Sequence, residues 1–173
     1  IHNRRPSSEN CGKTKRVVFS GDLGPRGAPI LRDFEPFHHA DAVFLESTYG
    51  GRQHDGDDPA EALVAVIKRA VARGGSVIIP AFAVGRTQAL LLLLYQLRRA
   101  NKLPDVPIFV DSPMAIAATG LYAAHPADHR LNPELCAAAF AVAEYVRDAE
   151  GSKKLDQRGE PAIIISAAGM ATG

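Results

Sequence analysis

Two carboxylates in this chain sit where a carboxylate can take part in chemistry. Asp22 follows the apolar run Arg16–Ser20 (RVVFS) and lies between Gly21 and Gly24, so the backbone there can bend closely around a ligand. Glu46 closes a second apolar run, Ala42–Glu46 (AVFLE), and a carboxylate at the end of a buried strand needs a cation, a hydrogen-bond donor or a metal. Each has a plainer reading: Asp22 as the cap of a turn, Glu46 as the partner of an Arg or a backbone N–H. A third candidate is Gly85-Arg86-Thr87, which opens a long helix directly after a strand. Free N–H groups and the positive helix end, with Arg86 beside them, suit an anion. The segment is not a Walker loop, because it lacks Gly-x-x-x-x-Gly-Lys-Ser/Thr.

Other chemistries are poorly supported. The six histidines are His2, His38, His39, His54, His125 and His129, and no His-x-His pair occurs. His125 and His129 have helical spacing, but Pro126 intervenes and no His-Glu-x-x-His motif results. All six read as surface or packing residues, so the chain is not expected to build a metal site by itself. There is no Gly-x-Ser-x-Gly elbow, and neither Cys11 nor Cys136 has an evident His partner.

These groups must be positioned by regular elements. After residue 40 the pattern reads strand, helix, strand, helix, strand, helix, helix, strand. The strands are 42–46, 76–79, 108–111 and 162–166. Helices are expected from Asp58 to Gly74, over about 85–101, over 113–124 and over roughly 132–149, with a further short one around 30–37. For the first of them, Asp58 reads as the N-cap, Pro59 as the first helical residue and Glu61 as the third position of a capping box. Ala62, Val66 and Ala70, with Leu63, Ile67 and Val71, make its apolar face, and Gly74 its left-handed end. Three of the strands are continuous apolar runs, the pattern of strands covered by helices on both faces. A parallel α/β sheet follows. The first 40 residues fit this alternation poorly and read as a different module. The strand ends collect small and polar residues: Ser20-Gly21-Asp22, Glu46-Ser47-Thr48-Tyr49, Asp111-Ser112 and Ser166-Ala167-Ala168-Gly169-Met170. In open parallel sheets, ligands gather at such ends.

Composition bounds the rest. The chain has 173 residues, 46% hydrophobic and 23% charged, with a formal net charge of +1. That is globular, and bulk charge gives no argument for nucleic acid, so a basic groove has to be local. Two cysteines exclude a disulfide scaffold and favour a reducing, cytoplasmic setting. No apolar run approaches the roughly 20 residues of a membrane span, so no membrane association is expected.

Five segments occur in order: FSGDLG at 19–24, LESTYGGR at 45–52, IIPAFAVGRTQALL at 78–91, VDSPMA at 110–115 and IIISAAGMATG at 163–173. Together they resemble the β-CASP group of RNA-processing nucleases in the metallo-β-lactamase superfamily. The resemblance implies a parallel, Rossmann-like β-CASP sheet flanked by helices, attached to a strand-rich piece of an αββα metallo-β-lactamase domain. On that basis residues 1–47 are the end of the first lactamase segment and 48–173 an incomplete β-CASP domain. Asp22 matches a carboxylate that bridges two zinc ions. Glu46 matches an acid that works beside a catalytic His, and Ser166–Gly173 matches the run leading to that His. The family's His-x-His-x-Asp-His motif is absent, so zinc is expected in the intact protein and not on this chain alone, which is expected to be inactive by itself. Its implied partners are single-stranded RNA, the remainder of the lactamase domain, and a second copy of itself. Ser47, Thr48, Arg86, Ser112, Ser166, Gly169 and Met170 are expected to contact phosphate or RNA. Apolar surface around 17–19 and 43–45 is expected to be exposed. The competing reading is a non-catalytic β-CASP-type module that binds RNA or protein. A stand-alone phosphate-binding α/β domain is a third.

Overall fold

The computed structural model describes residues 14–52 and 58–166. They divide into two compact units, residues 14–28 with 33–52, and residues 29–32 with 58–166.

The first unit is built on two short strands, β1 (Val17–Phe19) and β2 (Ala42–Phe44), paired in parallel with Phe19 opposite Phe44. Asp41 fixes their amino ends. Its carboxylate accepts from the Arg16 N–H at 2.9 Å and from Lys15 Nζ at 3.1 Å. The Arg16 N–H foremost, with Lys15 second, holds that carboxyl below its ordinary range. A lone parallel pair cannot bury two apolar faces. Val18 is buried, but Phe19 and Phe44 stack on one another at 4.7 Å while remaining 71% and 59% exposed. Val17, Val43 and Leu45 are exposed too, as the sequence leads one to expect.

The expected helix over 30–37 does not form. Pro29 and Pro36 bracket the segment, and Ile30 is buried in the core of the second unit. The Ile30 carbonyl accepts from the Arg130 N–H at 2.8 Å and the Leu31 carbonyl from Arg130 Nε at 2.8 Å, with Leu31 bridging His129 antiparallel. Extended backbone spent on another segment cannot also close helical turns.

The second unit runs α1 (Pro59–Val71), β3 (Val77–Pro80), α2 (Arg86–Arg99), β4 (Ile108–Asp111), α3 (Pro113–Ala124), α4 (Pro133–Phe140), β5 (Glu144–Val146), α5 (Ala149–Asp156) and β6 (Ile163–Ser166). The four strands form one parallel sheet in the order β3-β6-β4-β5. Right-handed crossovers decide which face each helix takes. The steps from β3 to β4 and from β4 to β5 move the same way across the sheet, and α2, α3 and α4 pack on one face. There Ile108, Val110, Ile163 and Ile165 meet Leu91, Leu94, Ala115, Cys136 and Ala139, and Ile67 of α1 joins them. The return from β5 to β6 reverses direction, and Leu155 of α5 packs on the other face against Phe109 and Ala162. Val146 of β5 and Ile164 of β6 pack against the same cluster, so this face is covered over β4, β5 and β6. The sheet is flanked by helices as expected, and on this face they leave Ile78 of β3, in register with Ile164, 66% exposed.

Two other expectations are corrected. In α1, Asp58 caps by accepting from the Ala60 N–H at 2.8 Å, but Glu61 completes no capping box: it pairs with Lys102 Nζ at 2.5 Å. The buried stripe is Val64 and Ile67, with Val66 exposed. Gly74 does take the left-handed turn, at φ 74°. The single helix expected over 132–149 is a helix, a strand and the start of another helix. The Tyr145 hydroxyl donates to the Phe140 carbonyl at 2.7 Å, engaging the last carbonyl of α4. Asp148 then opens α5 by accepting from the Gly151 N–H at 2.7 Å. Among the described residues no helix is long and apolar enough to cross a membrane.

Burial raises the Tyr145 hydroxyl from its ordinary 10.0 to about 12. The unfolded chain therefore ionises this tyrosine first, and its contribution to stability is complete below pH 10.0 and lost as the pH rises through about 12. Urea midpoints measured across that window should fall more steeply for the unaltered chain than for Tyr145→Phe. Parallel curves would show that Tyr145 is not held neutral by the fold.

Candidate functional site

In a parallel sheet every carboxyl end faces the same edge, so the candidate residues are gathered by topology within each unit. In the first unit the Ser20 N–H donates to the Phe44 carbonyl at 2.9 Å, continuing the ladder past β1. The Ser20 hydroxyl then accepts from the Glu46 N–H at 2.9 Å and donates to the Gly21 carbonyl at 2.7 Å. One serine thus ties the loop carrying Asp22 to the loop carrying Glu46, just beyond the parallel strands. Glu46 Oε2 accepts from the Thr48 N–H at 2.9 Å. This bond, with a further one from the Thr48 side chain, holds the carboxyl below its ordinary range, so Glu46 is anionic at neutral pH. The Ser47 carbonyl accepts from the Gly50 N–H at 2.9 Å, closing a tight turn over 47–50. Asp22 and Glu46 are both exposed.

In the second unit Arg86, Ser112 and Ser166 stand at the carboxyl edge, after β3, after β4 and at the end of β6. Arg86 is exposed, with its guanidinium 5.3 Å from the Phe82 ring centroid. Ser112 is only 2% exposed and its hydroxyl caps α3, accepting from the Ala115 N–H at 3.1 Å, so it shapes the edge more than it presents a free group. The Ser166 carbonyl accepts from the Ala81 N–H at 2.9 Å, and its side chain is half-buried. Gly169 and Met170 lie outside the described residues.

The residues that hold this edge in shape carry no obvious signal in the sequence. Gln88 is fully buried, at 0% exposure. Its Oε1 accepts from the Gly85 N–H at 2.7 Å, and its Nε2 donates to the Ala83 carbonyl at 3.1 Å and to Thr119 Oγ1 at 2.9 Å. Thr119 donates onward to the Ala115 carbonyl at 2.8 Å. Next to it, the Thr87 hydroxyl and N–H both donate to the Phe82 carbonyl. Gly85 adopts φ 80°, which an L side chain rarely takes, so the turn ahead of α2 needs glycine there. The available clue was a polar amide three residues after a glycine and ahead of the apolar run Ala89–Leu94.

Zinc takes three or more protein ligands. Among the described residues no group of three or more His, Cys, Asp or Glu is placed to hold a metal ion. Asp22 offers one carboxylate, and the described residues do not by themselves form a zinc site. His38 and His39 line an apolar groove beside β1 and β2. His129 is buried, its Nδ1 accepting from the Leu131 N–H at 3.2 Å and its Nε2 lying 3.0 Å from the Tyr122 carbonyl, which makes it a packing residue.

A family model described as the Beta-Casp domain matches residues 87–173. A ribonuclease of Thermus thermophilus is 34% identical over 172 residues, covering 94% of this chain and 39% of that protein. The transcription termination factor FttA of Methanosarcina mazei is 32% identical over 91% of this chain and 26% of its own length. An RNase J-like protein of Methanocaldococcus jannaschii is 32% identical over 92% of this chain and 38% of its own length. The chain therefore spans well under half of each of these relatives.

Replacing Gln88 by Met keeps volume but strips partners from the Gly85 N–H, the Ala83 carbonyl and Thr119. Urea unfolding should show a loss of about 2–3 kcal/mol. Arg86→Gln removes only an exposed cation over a ring and should cost about 1 kcal/mol or less. Equal, small losses in both variants would mean that the buried amide does not support the loop.

Proposed function

The chain belongs to the β-CASP family of the metallo-β-lactamase superfamily, and from that footing we propose that it forms part of a zinc-dependent ribonuclease that hydrolyses single-stranded RNA. One observation carries this reading. The parallel pairing of β1 and β2, closed by Ser20 onto Glu46, sends the Asp22 and Glu46 loops off the same end of the sheet. Two carboxylates so placed suit phosphodiester chemistry, one as a metal ligand and one as an orienting acid. The similarity to proteins named as ribonucleases supports the substrate class.

Within this scheme each residue has a task its own surroundings support. Glu46, held anionic by Thr48, orients a donor such as a histidine or a bound water. Asp22 supplies a single carboxylate, and the remaining zinc ligands come from outside the described residues. Arg86 holds phosphate at the carboxyl edge of the second unit through its side chain; the N–H groups of Gly85, Arg86 and Thr87, expected to be free, are taken by Gln88, Val84 and Phe82. The exposed apolar faces of β1 and β2 are covered by the rest of a lactamase domain. The cytoplasm is the proposed compartment, on the ground of cysteine usage alone.

The test uses a complete protein of this family that contains the chain, with labelled single-stranded RNA. Cleavage should depend on zinc, and Asp22→Ala and Glu46→Gln should each lower its rate by at least about a hundredfold. Cleavage that survives zinc chelation, or that neither substitution affects, would sink the assignment. RNA binding with no cleavage at all would favour the non-catalytic module.

A further inference from the structure

The connections leaving β4 and β5 part company. The chain passes from β4 into α3 on the first face of the sheet, and from β5 into α5 on the second. A crevice must open between their carboxyl ends, and open α/β sheets take their ligands at such a reversal. Arg147, the first residue after β5, stands at this point. It lines cavities on both sides, one of about 190 Å³ beside Thr119 and Phe140, and one of about 540 Å³ between β5 and α5.

The larger cavity has a distinct chemistry. Its charged lining is Arg147, Lys154 and Arg158 against one carboxylate, Asp148, whose Oδ1 is already engaged by the Gly151 N–H. Lys154 and Arg158 hold Glu150 and Glu160 at 2.6 and 2.7 Å, both carboxylates lying in solvent. Such surface pairs contribute little, so a phosphate can replace them. Arg147 has no hydrogen-bond or ion-pair partner among the described residues. The floor is apolar and aromatic, and the Arg158 guanidinium lies 5.5 Å from the Phe109 ring centroid, a flat surface on which a base can stack. Asp111, at the end of β4, is half-buried with its carboxylate accepting from the Ser152 hydroxyl at 2.7 Å, and it keeps phosphate off β4 itself. Three carboxylates, Asp148, Glu150 and Glu160, balance the three cations, so the phosphate affinity of the groove starts from exposed Arg147 and grows as phosphate displaces Glu150 from Lys154.

We propose that the groove between β5 and α5 is a second binding track for single-stranded RNA, entered at Arg147, with phosphates on Arg147 and Lys154 and a base against Arg158. This rests on the reading of the chain as an RNA-binding unit, and it adds a surface on the second unit beyond the Arg86 position.

The test is fluorescence anisotropy of a labelled oligouridine titrated with the full chain at salt concentrations from about 50 to about 200 mM. Arg147→Gln/Lys154→Gln is compared with Arg86→Gln and with the unaltered chain, after their melting temperatures are shown to agree. Losing two phosphate contacts should weaken binding about tenfold and flatten the salt slope by about 1.4, or about 0.7 for each contact. The effect should add to that of Arg86→Gln. Unchanged affinity and slope in the double variant, with Arg86→Gln weakened, would overturn the groove while leaving the RNA reading intact. Failure of the unaltered chain to bind the oligomer would overturn both. A loss in the double variant alone would uphold the groove and remove Arg86 from the RNA surface.

Discussion

A single buried amide sets the shape of the sheet's carboxyl edge. Gln88 cannot reach water, so its three hydrogen bonds must be made inside the protein, and each falls on a different part of the edge. The bond to Gly85 fixes the left-handed turn that begins α2. The bond to Ala83 fixes the loop leaving β3. The bond to Thr119 ties that loop to α3, whose own start is capped by Ser112. Leaving any of these groups unpaired away from water costs more than a made bond contributes, so the arrangement holds as a set or not at all. Arg86 is placed by this network without belonging to it.

Much of the second unit was legible because its signals are local. Asp58 and Pro59, Ser112 and Pro113, and Asn132 and Pro133 each pair a capping side chain with a proline that suits the first helical position, and each starts a helix. Of the three continuous apolar runs, 76–79 and 162–166 supply β3 and β6 inside the parallel sheet, whereas 42–46 pairs only with β1 and stays exposed. The failures were of another kind. The alanine-rich stretch after Pro133 hid β5, because alanine favours a helix wherever nothing opposes it. What opposes it is tertiary: a strand position open beside β4, and a tyrosine hydroxyl that finds the Phe140 carbonyl. Residues 30–37 read as a short helix, but Ile30 is claimed by a distant core. In the candidate site, Asp22 and Glu46 were legible as strand-end carboxylates. Gln88 and Arg147 were not, because their roles come from loop conformation and from the direction in which the chain crosses the sheet.

The two units differ in how far they satisfy their own surfaces. The second has a continuous core from α1 to β6, and every hydrophobic side chain in the middle of β4 and β6 has neighbours on both sides. The first has two three-residue strands whose aromatic side chains stack in solvent. Its order depends on polar contacts at both ends of the strands, Asp41 at one and Ser20 at the other, more than on burial. Such a unit is stabilised strongly by anything that covers its apolar faces, since each large side chain removed from water is worth about 1.5–3 kcal/mol.

The position of β6 has a consequence for how the sheet comes into being. It comes last in sequence among the described strands, yet it lies between β3 and β4, and Ser76 meets Ala162 across 86 positions of chain. During synthesis β3 and β4 emerge early and have no strand to pair with each other through. Their apolar side chains can collect helices α2 to α4 on one face and β4 can pair with β5, but β3 joins the ladder only when β6 threads between it and β4. Sheets with such distant pairings assemble slowly and stay sticky until they close. Joining β3 to the rest of the sheet therefore falls to four residues, Ile163 to Ser166, which pair with β3 on one side and β4 on the other.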